Sequence, residues 1–262
     1  MTALLRFFKI AYLFFCYRIN ELIPKSVLPK WLVFLSILNP FQFSKKNKNS
    51  GQRLAEALEK AGPVFIKFGQ ILSTRPDFLE KEIVEELKKF QNNLKPFDSN
   101  TAKKIIESDL GKSVDELFAN FNSEPLAAAS IAQVHEAELH SGEKVVIKVV
   151  RPGLEKKIKN DLALLKALGY ITSKFKSDAK RLKLKEMIKE YEYVITSEID
   201  LKKEAGNTIQ TKNFFQNNDL LYVPNTYLEF SGPRTLTLEK IDGIPVSDIE
   251  TLKEKNVNLK LL

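Results

Sequence analysis

The sequence has little cysteine, little histidine and no long uninterrupted hydrophobic run. Its single cysteine, Cys16, excludes an internal disulfide and fits a reducing compartment. The two histidines, His135 and His140, have no ligand-type partners at metal-binding spacing, so no zinc site is expected. The apolar segments 3–17 and 31–38 both fall short of the roughly 20 apolar residues that a transmembrane helix needs. No small-residue cleavage site marks a signal peptide.

Charge of both signs is abundant, and lysine supplies most of the positive charge. The 262 residues carry 41 lysines and arginines against 33 aspartates and glutamates, a formal net charge of +8. Such a lysine-rich surface suits binding to an anionic lipid leaflet or a nucleotide better than recognition of nucleic-acid bases, for which the forked arginine guanidinium is suited. Nucleic-acid binding is not expected, because aromatic residues are not interleaved with the basic runs and no recognition module is present.

The N-terminal segment combines aromatic, aliphatic and basic side chains. Arg6, Lys9, Arg18 and Lys30 lie among apolar residues, as in an interfacial helix on an anionic membrane. The alternative is that these residues pack on the rest of the domain, and the pattern alone leaves both interpretations open. The run SKKNKNSG, residues 44–51, indicates a polar linker.

An amphipathic helix is predicted over VFIKFGQILST, residues 64–74. Lys67 and Gln70 are three residues apart and share one face of it. Gly69 between them costs about 1 kcal/mol of helix stability relative to alanine, which suggests close approach to another backbone. An ordinary amphipathic helix with exposed polar residues is the alternative.

The segment PLAAASIAQVHEAELHSGEKVVIKVVRPG, residues 125–153, predicts a small-residue loop followed by a β-hairpin. Residues 131–139 and 145–150 form its strands, and residues 140–143 supply the turn. Lys148 stands in the middle of the β-branched second strand, where an ammonium is costly to desolvate unless an anion meets it. In kinase-type folds, a loop of this kind and a lysine on the strand that follows the hairpin turn together hold the nucleotide phosphates. An edge-strand lysine whose stem reaches water is the alternative.

After the hairpin the pattern predicts a long basic helix over 154–175 and a second helix reaching from about 181 to about 215. Asp200 and Glu204 share one face of the second helix, and Glu198 lies two residues before Asp200. Crowded carboxylates are a liability unless a cation lies opposite them. A solvated face beside neighbouring lysines is the alternative. Two strand-like runs follow, at 226–230 and 235–241.

These motifs, taken in order, resemble the UbiB family of atypical, protein-kinase-like proteins. Residues 67–70 reproduce its KxGQ signature, residues 127–133 resemble the alanine-rich loop that replaces the kinase glycine-rich loop, and residues 145–152 resemble the lysine-bearing third strand. Residues 198–200 fit the ExD motif, and residues 204–207 resemble the helix-C segment. The resemblance runs almost from end to end.

The resemblance implies an α+β fold, namely a kinase-like N-lobe with a small antiparallel sheet plus helix C, preceded by an N-terminal helical KxGQ extension. The implied divisions are a membrane-proximal segment and linker at 1–50, the extension at 51–122, and the N-lobe with inserted helices at 123–262. The C-lobe is expected to be missing, because the sequence contains neither a His-x-Asp loop nor an Asp-Phe-Gly motif. The chain is therefore interpreted as the N-terminal portion of a family member, whether a truncated product, a split gene or a fragment.

Site residues follow from the resemblance position by position. Lys148 is expected to contact nucleotide phosphates and Glu204 to hold it by an ion pair. The KxGQ helix is expected to lie across the cleft, its lysine near the ExD acid, and to keep a protein substrate out. The implied regulatory residues are Lys67, Gly69, Gln70, Glu198 and Asp200. The implied nucleotide-binding residues besides Lys148 are Leu126, Ala127, Ala128, Ala129, Ser130, Ile131, Ala132, Gln133 and Val134.

The implied function is the ATP-binding portion of an atypical kinase or ATPase that supports ubiquinone (coenzyme Q) biosynthesis. ATP and Mg²⁺ are the implied cofactors, and the catalytic aspartate and the metal ligands are expected from the missing C-lobe. The implied localisation is the cytoplasmic face of the bacterial inner membrane. The implied partners are the anionic membrane surface, other ubiquinone-biosynthesis proteins and a separate chain that supplies the C-lobe. The alternative is a non-catalytic module that binds membrane or partner helices through residues 1–40 and 154–175.

Overall fold

The computed structural model describes residues 3–22, 47–74, 79–89, 95–175, 184–216, 218, 221–246 and 248–259. These residues form a mixture of α-helices and one antiparallel sheet, as the sequence predicts. The apolar segment 31–38 and the first part of the expected linker, residues 44–46, lie outside the described residues. No helix within the described ranges is both long enough and apolar enough to cross a bilayer.

Helices precede and follow the sheet in the chain. Those before it are α1 (Ala3–Cys16), α2 (Ser50–Ala61), α3 (Pro63–Ser73), α4 (Lys81–Lys88), α5 (Ser99–Leu110) and α6 (Val114–Leu117). The strands are β1 (Asn120–Phe121), β2 (Ala127–Ala128), β3 (Ala132–Glu138), β4 (Lys144–Val150) and β5 (Thr235–Glu239). The later helices are α7 (Leu154–Phe175), α8 (Leu184–Glu198), α9 (Leu201–Phe214) and α10 (Ile249–Glu254). Single 3₁₀ turns lie at Ile19–Glu21 and Leu228–Phe230.

The sheet has the order β1-β3-β4-β5, and β2 pairs with the other end of β3. All pairs are antiparallel, with Val134 opposite Lys148 and His135 opposite Ile147. Because successive side chains on a strand point to opposite faces, Val134 and Lys148 share one face. His135 and Ile147 share the other.

The helix predicted from about 181 to about 215 is in fact two helices. It breaks between α8 and α9, where the Asp200 side chain accepts a hydrogen bond from the backbone N–H of Lys203 at 3.1 Å. A carboxylate in this N-cap position satisfies an orphan donor and starts a new helix. The apolar spacing continues across the break, which is why periodicity alone missed it.

The strand predicted at 226–230 does not form. Thr226 makes an isolated bridge to Leu238, and the chain then enters the 3₁₀ turn at Leu228–Phe230. Ser231 explains the departure, because its hydroxyl donates to Tyr227 O at 2.7 Å and accepts from Thr237 N at 3.0 Å. The Ser231 hydroxyl thus occupies both Tyr227 O and Thr237 N, two backbone groups that a continuing strand would use for its own pairing.

Two apolar cores flank the sheet. The face that carries His135 is covered by α5 and α6, so these helices pack on the sheet rather than with α2–α4. This packing joins residues 99–121 to the sheet. The predicted domain division at 122/123 stays a prediction. The members of this core are Ala102, Ile105, Ile106, Val114, Leu117, Phe118, Ala137, Leu139, Val145, Ile147 and Val149.

The second core lies on the Lys148 face and joins the sheet to α1–α4 and α7–α9. Tyr191 on α8 is fully buried in it, donates its hydroxyl to the carbonyl of Val64 and meets the Phe68 ring edge-on at 5.2 Å. Burial, followed by the charges of Glu198 and Asp161, raises the pKa of the Tyr191 phenol. Tyr191 therefore stays a neutral donor that ties α3 to α8.

Arg6 on α1 lies against this core, with its guanidinium 5.7 Å from the Phe65 ring centroid, and does not serve as an interfacial cation. Its guanidinium donates to both carboxylate oxygens of Asp161 on α7 at 2.6 Å and to Ala61 O at 2.6 Å. Asp161 is only 1% exposed, so removal of either partner would leave a buried charge unpaired. The interpretation of Arg6 as a membrane contact is therefore corrected.

Arg18 is likewise engaged within the chain, through Glu21 at 2.7 Å. Arg53 reaches the same carboxylate at 3.0 Å, and these two contacts outweigh partial burial and lower the pKa of Glu21. Of the other cations named in the membrane interpretation, Lys9 is exposed and Lys30 lies outside the described residues. The structure thus removes Arg6 from the membrane interpretation, which otherwise stays a prediction.

A buried hydrogen-bond chain runs along the sheet face that carries His135, which is called the outer face below. Gln133 and His135 are both 0% exposed. Phe97 N donates to Gln133 Oε1 at 3.0 Å, Gln133 Nε2 lies 2.8 Å from His135 Nε2, and His135 Nδ1 lies 2.9 Å from Asn122 O. Because a carbonyl can only accept, Nδ1 carries the proton and Nε2 accepts from the Gln133 amide. Burial lowers the pKa of His135, and the bond to Asn122 opposes this only in part.

We expect the pH dependence of stability to report this neutral imidazole. Below the ordinary histidine pKa of about 6.5 the unfolded chain binds a proton that the folded chain excludes, so the free energy of unfolding falls as pH falls. His135→Gln, which cannot ionise, should show less of this fall in urea unfolding compared at about pH 7.5 and about pH 5.5. His140→Gln is the matched control, because His140 is exposed. An equal pH dependence in wild type and His135→Gln would contradict the assignment.

Candidate functional site

The centre of the candidate site is an ion pair between a strand and a helix. Nζ of Lys148 on β4 donates to the two carboxylate oxygens of Glu204 on α9 at 2.7 and 2.8 Å. The side chains are 27% and 35% exposed, so the pair is partly shielded and still open to a ligand. An ammonium has three N–H donors, and a pair with one carboxylate leaves capacity for a further anionic oxygen.

The fold of α9 determines where Glu204 points. Asp200 caps the helix, and Leu201 and Ala205 are buried in the second core. These two residues fix the rotation of α9 about its own axis. Glu204, adjacent to Ala205 and one turn after the cap, is thereby turned towards the sheet and Lys148.

The alanine-rich loop lies at the Lys148 end of the sheet. Ala127 and Ala128 pair with Val134 and Gln133, and Leu126 N donates to Val134 O at 2.8 Å. Ala129 N donates to Ala132 O at 2.8 Å, which closes a tight turn over Ser130 and Ile131. Val134 faces the same side as Lys148, directly opposite it in the ladder.

The residues predicted to bind nucleotide do not all present their side chains to the Lys148 face. Leu126 is well exposed, whereas the side chains of Ser130, Ile131 and Ala132 are buried. Gln133 points to the opposite face, where it is fully enclosed by its bonds to Phe97 and His135. At these buried positions only backbone groups remain for a ligand on the Lys148 face.

The KxGQ and ExD segments meet between α3 and α8. Lys67 on α3 forms a salt bridge with Oε1 of Glu198, the last residue of α8. The second oxygen, Oε2, is buried without a hydrogen-bond partner among the described residues. Gly69 is buried on α3 and Gln70 is half-buried beside it. Asp200, in contrast, uses its carboxylate to cap α9.

Two residues that the sequence analysis did not single out shape this region. Tyr191 anchors the start of α3 through Val64. Arg151 holds the alanine-rich turn, with Nε donating to Ala129 O at 3.0 Å. The position of Arg151 directly after the lysine strand was the available signal, whereas nothing local distinguishes Tyr191 from any other apolar position of an amphipathic helix.

The chemistry available here is the binding of a polyanion. The described residues fit a triphosphate, because a charged lysine and a turn of backbone groups lie at one end of the sheet. They contain no cluster of three or more histidine, cysteine, aspartate or glutamate side chains that could hold a metal ion. The supply of magnesium ligands by a C-lobe stays a prediction.

Comparisons with known proteins identify what the chain is similar to. A family model described as the ABC1 atypical kinase-like domain matches residues 89–262. A protein from Marinobacter nauticus named "Probable protein kinase UbiB" is 43% identical, with 100% of this chain and 48% of the relative covered. Proteins of the same name from Cellvibrio japonicus and Pseudomonas aeruginosa PAO1 are 44% and 42% identical, again over 100% of this chain and 47% and 50% of theirs. The chain thus spans about half the length of the curated relatives it matches.

A solved structure shares the fold. It is described as the complex structure of Rv3197-erythromycin from Mycobacterium tuberculosis, and it matches with a TM-score of 0.53 at 21% identity. The match covers 84% of this chain and 50% of that one. At this identity the likeness concerns the fold alone.

We expect Lys67 and Glu198 to be energetically coupled. Lys67→Met leaves a half-buried carboxylate unpaired, so it should lower the free energy of unfolding by about 1–3 kcal/mol. Glu198→Gln should cost less, and the double variant should cost less than the sum of the two. Urea unfolding of the four proteins measures the coupling. The control cycle uses Lys81 and Glu85, which are 92% and 60% exposed and 3.8 Å apart, so their coupling should be near zero. Additive effects of the Lys67 and Glu198 substitutions would contradict the contact.

Proposed function

The chain belongs to the ABC1 atypical kinase-like family, as its resemblance to the UbiB family predicted, and we propose that it is the ATP-binding portion of an atypical kinase or ATPase. The observation that carries the proposal is the Lys148–Glu204 ion pair beside the alanine-rich turn. Structural ion pairs also occur on sheets, but this one remains partly open and lies at the end of the sheet that carries the alanine-rich turn.

In this proposal each group has a separate task. Lys148 binds phosphate oxygens as a point charge, and Glu204 holds its flexible stem in one position. The backbone of the alanine-rich turn contacts the phosphates, since the side chains of Ser130 and Ile131 are buried. Mg²⁺, when bound, neutralises charge on the transferred phosphoryl group.

The KxGQ helix is proposed to regulate access to this site. Lys67 binds Glu198 at the end of α8, and Asp200 then starts the helix that carries Glu204. The KxGQ and ExD segments are therefore linked through a few residues to the partner of Lys148. This connection supports the expectation that α3 excludes a protein substrate.

The wider role proposed is support of ubiquinone biosynthesis at the cytoplasmic face of the bacterial inner membrane. The UbiB names of the relatives support it. An anionic membrane surface, other proteins of that synthesis and a chain supplying C-lobe residues are the proposed partners. These 262 residues contain no His-x-Asp or Asp-Phe-Gly motif, so we propose that they bind nucleotide without sustained turnover.

We expect the purified chain to bind ATP through Lys148. Lys148→Met keeps the aliphatic stem and removes the charge, so ATP affinity should fall by roughly tenfold or more. Lys144→Ala is the control, because Lys144 is an exposed lysine at the other end of the same strand. Equilibrium dialysis with labelled ATP measures both. Equal affinity of wild type and Lys148→Met, or sustained ATP hydrolysis that Lys148→Met abolishes, would contradict the proposal.

One observation favours the second candidate, a membrane-binding module. Leu5, Phe8 and Tyr12 of α1 are 59%, 59% and 55% exposed and follow one another at helical spacing, while Leu13 and Tyr17 are buried. Lys9 lies within this exposed face. Aromatic and aliphatic side chains around a lysine suit the interface of an anionic bilayer.

Vesicle flotation tests this second candidate. The variant Leu5→Ser/Phe8→Ser/Tyr12→Ser should reduce the fraction of protein that floats with vesicles containing phosphatidylglycerol, since about 25 cal/mol is lost per Å² of apolar area no longer buried. Phe214→Ser is the control, because Phe214 is an exposed aromatic residue on a different helix. Flotation of the triple variant at the wild-type level would reject a role for this face.

A further inference from the structure

Arg151 lies behind the proposed phosphate site, on the opposite face of the sheet from Lys148. Its backbone N–H continues the β3–β4 ladder by donating to Ile131 O at 2.8 Å. Its side chain follows the alternation of Ile147 and Val149, which are buried on the outer face. The guanidinium lies 5.7 Å from the ring centroid of Phe97, which packs on that same face.

The guanidinium joins two separate pieces of backbone. Nε donates to Ala129 O in the alanine-rich turn at 3.0 Å, and Nη2 donates to Lys95 O at 2.9 Å. The segment that contains Lys95 is itself fixed, because Phe97 N donates to the buried Gln133 side chain at 3.0 Å. The alanine-rich turn is thus attached to a rigid part of the N-lobe by one planar fork.

This attachment fixes the orientation of the peptide between Ala129 and Ser130. In a trans peptide the C=O and the following N–H point in opposite directions. Since the Ala129 carbonyl accepts from Arg151 Nε, the Ser130 N–H points away from the Arg151 guanidinium. The Ala129 N–H is already committed to Ala132 O at 2.8 Å and holds the other end of the turn.

We propose that Arg151 is a positioning residue for nucleotide phosphates, which anchors the alanine-rich turn from behind so that the Ser130 N–H donates to a phosphate oxygen on the Lys148 face. The proposal rests on the proposed nucleotide-binding function. Arg151 itself does not touch the nucleotide. A lysine would carry the same charge but lacks the fork that reaches two carbonyls at once.

Amide exchange followed by NMR on the full chain without nucleotide tests the anchor alone. Arg151→Gln and Arg151→Lys should both speed exchange of the Ala129 amide, which is bonded to Ala132 O within the anchored turn, by about tenfold, the effect of losing one hydrogen bond to a charged donor. Lys144→Ala, which removes a charge at the far end of β4, should leave it unchanged. Unchanged exchange in Arg151→Gln, or full rescue by Arg151→Lys, would overturn the anchor.

Saturation with ATP tests the consequence for phosphate binding. ATP should slow exchange of the Ser130 amide in wild type and in Lys144→Ala, and should fail to do so in Arg151→Gln even at saturation. A merely structural role for Arg151 would not remove this protection once the site is filled. Protection of Ser130 by ATP in Arg151→Gln, or its absence in ATP-saturated wild type, would overturn the phosphate contact. A wild-type chain that binds no ATP at all would refute both the proposed function and the phosphate contact. The exchange measurement without nucleotide would still test whether Arg151 anchors the alanine-rich turn.

Discussion

The ion pair between Lys148 and Glu204 is the constraint on which the rest of the site depends. A strand of β-branched residues accommodates an ammonium only where a carboxylate meets it, because desolvating an unpaired charge costs several kcal/mol. The carboxylate comes from α9, whose rotation is fixed by Leu201 and Ala205 in the core. The packing of one helix on the sheet thus decides whether the lysine is held in place or free to leave for solvent.

The segment between α8 and α9 links this pair to the KxGQ helix. Glu198 ends α8 and binds Lys67, while Asp200 starts α9 and so sets the position of Glu204. The two acidic residues that the sequence shows as one motif therefore do different work, one across a helix interface and one at a helix start. A change in the position of α3 would act on Glu204 through only a few residues of backbone, which gives the regulatory expectation a physical route.

The sequence predicted the hairpin and the strand lysine because β-branched alternation and turn residues are local signals. The pairing of Lys148 with Glu204 needed the family resemblance, since the two lie far apart in the chain. Three features could not be predicted from the sequence because they depend on tertiary packing. Arg6 is paired with a buried aspartate, and α5 and α6 cover the outer face of the sheet. The Gln133 side chain points to that outer face and not to the Lys148 face. The break at Asp200 was locally readable as an N-cap, but uninterrupted apolar spacing hid it.

A crystal structure of this chain with a non-hydrolysable ATP analogue tests the central claim most directly. The account predicts a phosphate oxygen within hydrogen-bonding distance, about 2.7–3.0 Å, of Lys148 Nζ. The Glu204 carboxylate should remain paired with the same ammonium. Electron density for the phosphates elsewhere on the chain, or a Lys148 side chain that leaves Glu204 and points into solvent, would contradict it.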